Sequence, residues 1–163
     1  ESVARYAGAH RGDYDLIVTT QDWHIDPGRH WARAPEEPDF VDTWPQHGVA
    51  DTPNAELHPA LADLHADVAI KKGRYEAAYS GFDGTDEAGR SLAEVLKAAG
   101  IDAVDVIGIA ESHCVKQTAL DARALGLPTR VLTDLTVPVT PELGAAAREE
   151  MVAAGVALEP APA

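Results

Sequence analysis

The chain has 163 residues, a formal charge of -14 and an ordinary 45% of hydrophobic residues. That length suits one domain, since two cores would each be marginal. The acid excess argues against nucleic acid, whose phosphates need clustered Lys and Arg, and no apolar run is long enough to cross a bilayer. A solvated acidic surface explains the charge without a ligand. With Cys114 the only cysteine, no intrachain disulfide can form. Its thiol is either a small buried hydrophobe or a reactive group, and the chain suits a reducing cytoplasm.

Residues 1–10 place Val3, Tyr6 and Ala7 at helical spacing before Gly12-Asp13 breaks the pattern. Asp15-Leu16-Ile17-Val18-Thr19-Thr20 is short, apolar and rich in β-branched residues, as expected of a parallel strand buried on both faces. From Trp23 to about His58 the chain is rich in Pro, Trp, His and acids without a period, and reads as a long functional loop. A strand follows over 67–72, stopping at Gly73. Ser91 and Glu94 have capping-box spacing before a helix closed by Gly100. The most apolar strand spans 103–110 and runs through Glu111-Ser112-His113 into a helix that opens near Cys114 and ends at Gly126. A strand at 129–133 and a helix at 141–155 complete the alternation. Alternating strands and helices imply parallel βαβ units. The expectation is a single α/β domain over residues 1–163, with three α/β/α layers and a mostly parallel central sheet.

In such sheets ligands bind beyond the carboxyl ends of the strands, where Asp22, His24, Lys72 and Cys114 all fall. A thiol at a strand-to-helix turn can be held as thiolate by the helix N-terminus, whose N–H groups also suit an oxyanion. Lys72, at the end of an apolar strand, either supplies a cation that lowers the thiol pKa or snorkels to solvent; Lys71 points to the other face. Asp22, His24, His30 and His47 share one loop and offer an oxygen and three imidazoles to a divalent ion such as Zn, Fe or Mn. The alternative is a set of solvated loop histidines. Trp23, Trp31 and Trp44 lie in the same loop, as an aromatic wall for a flat ligand or as core filling.

These residues resemble the nicotinamidase/pyrazinamidase group of the isochorismatase-like cysteine hydrolases over nearly the whole chain. Residues 21–30, QDWHIDPGRH, look like that group's metal loop, and Trp44-Pro45-Gln46-His47 its next element. The resemblance implies that Asp22, His24, His30 and His47 are metal ligands. It implies that Lys72 is the catalytic lysine and Cys114, in GIAESHCV at 108–115, the nucleophile. It further implies a cis Ile109–Ala110 bond, an oxyanion hole at Ala110 and Cys114, and substrate contacts from Trp44, Tyr79 and His113. The activity implied is hydrolysis of nicotinamide to nicotinic acid and ammonia through a thioester, with pyrazinamide as a second substrate and the protein a monomer or homo-oligomer.

Two departures stand out. Gly48 occupies the position where the family commonly has Cys. No residue matches the family's catalytic aspartate, which closes a first strand upstream of the helix that here starts at Glu1. The expectation is therefore an N-terminal segment not represented in the chain. The rivals are a carbamoyl amidase or isochorismate-type hydrolase, which generally lack the metal loop, a ligand-binding member without the aspartate, and a metal-storage or sensor module.

Overall fold

The computed structural model describes all 163 residues. It is an α/β structure whose strand pairs are all parallel, and its contacts divide the chain into two compact units, Leu16–Leu92 and Glu1–Asp15 with Ala93–Ala163.

In the Leu16–Leu92 unit, β1 (Val18–Asp22) pairs with β2 (Val68–Lys72) in parallel, and the register sets Asp22 opposite Lys72. β1 starts later than the apolar run, because Ile17 is held instead by the Asp67 carboxylate, which accepts its N–H at 2.7 Å. A pair of strands cannot bury both faces, so only Thr19 of β1 and Ile70 and Lys72 of β2 are buried. This corrects the expectation of a first strand buried throughout.

The other unit contains α1 (Ser2–Ala9), α2 (Leu92–Ala98, whose first residue closes the preceding unit), β3 (Val104–Ile109), α3 (Lys116–Ala124), β4 (Thr129–Val137), α4 (Pro141–Ala153) and β5 (Ala157–Glu159). Its sheet order is β3-β4-β5. All strand pairing within each unit is parallel. β5 has only three residues, too few to carry a period in the sequence. As an edge strand β3 is only half-buried, and Ile109 is 77% exposed, although its composition is that of an interior strand. Behind β4, Val115 and Ala119 pack with Val131, Ala147, Met151 and Val156 into a core. Such clusters supply most of a domain's favourable burial. Helix α2 stops as its spacing predicts: Ile101 N–H bonds Leu96 C=O at 3.0 Å and Gly100 N–H bonds Lys97 C=O at 3.1 Å. Thr140 caps α4 by accepting the Leu143 N–H at 3.2 Å. No helix is long and apolar enough to cross a membrane.

Asp105 and Arg130 face each other in the β3–β4 register. The guanidinium grips the carboxylate through Nε at 2.8 Å and a terminal nitrogen at 2.6 Å, and Tyr14 Oη donates to Asp105 at 2.7 Å. Burial opposes ionisation of Asp105, but the bonds from Arg130 and Tyr14 outweigh it and hold the carboxyl below its ordinary pKa. A depressed carboxylate stabilises the fold above its unfolded pKa, about 3.9, and the contribution is lost as pH falls through the lower folded value. Asp105→Asn is therefore expected to cost about 1–3 kcal/mol at neutral pH. In urea melts against pH, its deficit relative to the parent shrinks only below about pH 4.

Candidate functional site

The strand-end pair Asp22–Lys72 organises the candidate site of the Leu16–Leu92 unit. The Lys72 side chain is 2% exposed, and an ammonium so buried needs a counter-charge and full hydrogen bonding. Its Nζ bonds Asp22 Oδ1 and donates to the Ala78 carbonyl at 2.8 Å. Burial raises the Asp22 pKa, but Lys72 more than offsets it, and the carboxylate is held below its usual range. Lys71, on the opposite face as period two requires, lies over the Trp23 ring at 3.3 Å.

Beyond the strand ends the long loop is not loose. Trp23 N–H bonds Lys72 C=O at 2.8 Å, Ile25 and Asp26 N–H both bond Arg74 C=O, and His24 exchanges backbone bonds with Gly48 and Ala50 at 2.7 and 2.8 Å. A second bridge joins Trp31 to Trp44, through Trp44 N–H to His30 C=O at 2.8 Å and Ala32 N–H to Trp44 C=O at 2.9 Å. These bridges bring His24, His30 and His47 together, with one ring nitrogen of each within 4.8 Å of the others. Asp22 Oδ2 adjoins them at 3.6 Å from His47 Nε2.

Ring orientation is set by the backbone. His24 Nδ1 bonds the Gly73 carbonyl and His47 Nδ1 the Pro45 carbonyl, leaving each Nε2 with its lone pair available. His24 Nε2 and His30 Nδ1 are buried and accept no hydrogen bond. Two orphaned acceptors side by side are costly unless something binds them. Burial lowers the pKa of His24, and burial with His24 and His47 nearby pushes His30 down to about 4. Both imidazoles are neutral at pH 7, the form that ligates metal. Three imidazoles with a carboxylate beside them fit a divalent transition ion.

The three tryptophans part ways. Trp23 lies under Lys71. Trp31 is buried, donating from Nε1 to His47 C=O at 3.2 Å. It also meets the His24 ring edge-on at 5.8 Å. Trp44 pairs with a tyrosine beside the histidines: its Nε1 donates to Tyr79 Oη at 3.1 Å, and Tyr79 lies 5.6 Å from His30. Of the two readings of the tryptophans, core filling describes Trp31, while Trp44 with Tyr79 presents the aromatic surface.

The turn that carries Cys114 belongs to the other unit. β3 ends in a cis Ile109–Ala110 peptide, as the resemblance implies. A five-residue π turn follows, Glu111–Val115, and α3 begins only at Lys116. Cys114 therefore lies inside the π turn rather than on the first residue of a regular helix. The cause is the Ala110 carbonyl, which accepts both His113 N–H at 3.0 Å and Val115 N–H at 3.1 Å and so widens the first coil. Cys114 is partly buried, and His113 bonds Ser112 Oγ through Nδ1 at 3.0 Å.

The isochorismatase domain matches residues 6–161. The chain belongs to the isochorismatase family. It is 48% identical over 150 residues to the nicotinamidase/pyrazinamidase of Mycobacterium tuberculosis, covering 92% of this chain and 79% of that protein. Among solved structures, the pyrazinamidase of Pyrococcus horikoshii in complex with zinc has a TM-score of 0.81 and 33% identity, covering 98% of this chain and 83% of that one. PnC1 of L. infantum in complex with nicotinate has a TM-score of 0.79 and 31% identity, covering 97% and 78%.

Two glycines that sequence reasoning gave no role hold the histidines of this family member in place. Gly48, where the family commonly has Cys, has φ +57, and a Cβ there would fall 2.7 Å from Asp22 Cβ. Gly73 has φ +73, and a Cβ there would meet His24 Cε1 at 2.6 Å and Nδ1 at 2.8 Å. The visible signal was only a glycine directly after a strand-end lysine. Gly73→Ala should lower zinc affinity about 10–100-fold in a chelator-competition titration. Gly89→Ala, at φ +81 with open space around it, carries similar backbone strain and should leave the affinity unchanged.

Proposed function

We propose that the chain is a nicotinamidase, an amidohydrolase that converts nicotinamide to nicotinic acid and ammonia through a thioester on Cys114, with pyrazinamide as a second substrate. The observation that carries this reading is the cluster of His24, His30 and His47 with its buried, unsatisfied ring nitrogens, because the carbamoyl amidases and isochorismate-type hydrolases generally lack the metal loop. The names of the relatives above support the same substrate class.

In this reading His24, His30, His47 and Asp22 would hold a zinc, iron or manganese ion, which supplies Lewis acidity when bound. The Cys114 sulfur forms a bond to the carboxamide carbon as the C=O electron pair moves onto oxygen. Backbone N–H groups at Ala110 and Cys114 receive that oxyanion. The proton given up by the Cys114 thiol passes to nitrogen as the oxyanion collapses and the C–N bond breaks, so that nitrogen leaves as ammonia. Water then cleaves the thioester, giving nicotinic acid and returning the thiol. Lys72 has the role of the family's catalytic lysine, and Trp44, Tyr79 and His113 contact the ring. The single cysteine fits a cytoplasmic setting.

The test is ammonia release from nicotinamide. Metal-loaded protein is expected to turn over, chelation to stop it reversibly, and Cys114→Ala to lower kcat more than about 10⁴-fold. Nicotinamide that binds to folded, metal-loaded protein without ammonia release would replace the enzyme with a ligand-binding member.

A further inference from the structure

Glu111, the first residue of the π turn, has a fully buried carboxylate that the hydrolysis does not use. It is held from two elements at once. Arg148 of α4 grips it with a fork, Nε to Oε1 at 2.7 Å and a terminal nitrogen to Oε2 at 3.0 Å, and Thr136 of β4 donates its hydroxyl to Oε2. The adjoining residue is tied down as well: Ser112 Oγ accepts the Val139 N–H at 3.1 Å. Helix α4 comes close because residue 144 is glycine, where a Cβ would fall 2.8 Å from Pro138 and 3.7 Å from Glu111 Oε1.

A buried carboxylate is poor value as glue, since an apolar substitute of similar volume often stabilises as well or better. What a forked, fully bonded carboxylate adds is direction, as planar Arg–carboxylate pairs fix geometry tightly. Cys114 is three residues on, inside the same π coil. Resting on the assignment of Cys114 as nucleophile, we propose that Glu111, clamped by Arg148 and Thr136, is a positioning residue that fixes the π turn and with it the orientation of the Cys114 thiol. Glu111 does not touch substrate; it acts through the turn.

The test separates direction from stability by replacing both partners at once. In Glu111→Leu/Arg148→Met no buried charge is left unpaired, so the melting temperature should stay near that of the parent. The rate of Cys114 alkylation by iodoacetamide, followed against pH, should fall about tenfold or more, with the profile displaced toward that of an unassisted thiol. Thr136→Val keeps the ion pair, and should fold and show a smaller loss. Alkylation needs no amide, so it reads the clamp whether or not nicotinamide is the substrate. A double variant with parental rate and pH profile would overturn the proposal, and if that variant does not fold, an unchanged profile in Thr136→Val would do the same.

Discussion

A lysine that ends a strand and is buried there must be met by a carboxylate, and the parallel register supplies one. Asp22 and Lys72 are cross-strand partners, so one ion pair closes both strands and decides where the chain leaves them. The next residues on each side then follow. His24 is two residues past Asp22, Gly73 is one past Lys72, and the Gly73 carbonyl bonds the His24 ring. A register slip of one residue would turn one of the two side chains to the other face, part the ion pair and separate the imidazole from the carbonyl that orients it. The histidine cluster is therefore a consequence of strand pairing, extended into the loop by backbone bridges.

The second unit handles its own chemistry with the same economy of backbone. One carbonyl, that of Ala110, accepts two N–H groups and so opens a π coil in place of an α-helical start. That coil is then pinned from β4 and α4 in addition to its own hydrogen bonds. π turns occur often at functional sites because an extra residue in a coil can aim a side chain that regular spacing would not. The family to which the chain belongs is thus represented by two local devices, each intelligible within its own unit.

Much of this was legible in the residues. Alternating strand and helix patterns located β1 to β4 and all four helices to within a few residues, and the position of Asp22, Lys72 and Cys114 at strand ends followed from those patterns. The histidines stood out by their number within one loop. What stayed hidden depended on partners distant in sequence. The bridge from Trp31 to Trp44 has no periodic signature, and neither does the carbonyl at Gly73 that chooses the His24 tautomer. Trp23 and Trp31 could not be told from Trp44 by residue type, since one lies under Lys71 and one is buried by neighbours that only the fold supplies. The exposure of Ile109 in β3 was unreadable for the same reason, because apolar composition reports what a strand can bury and not how many neighbours pair with it. Glu111 and Arg148 lie 37 positions apart, and nothing local marks them as partners.

The measurement that bears most directly on the proposed metal centre is X-ray absorption at the zinc edge of the zinc-loaded protein. The expected spectrum shows zinc–nitrogen distances of about 2.0–2.1 Å with the outer-shell scattering of imidazole rings, and that scattering weakens when His24, His30 or His47 is replaced in turn by Ala. Zinc bound without imidazole scattering, or a spectrum indifferent to all three substitutions, would contradict it.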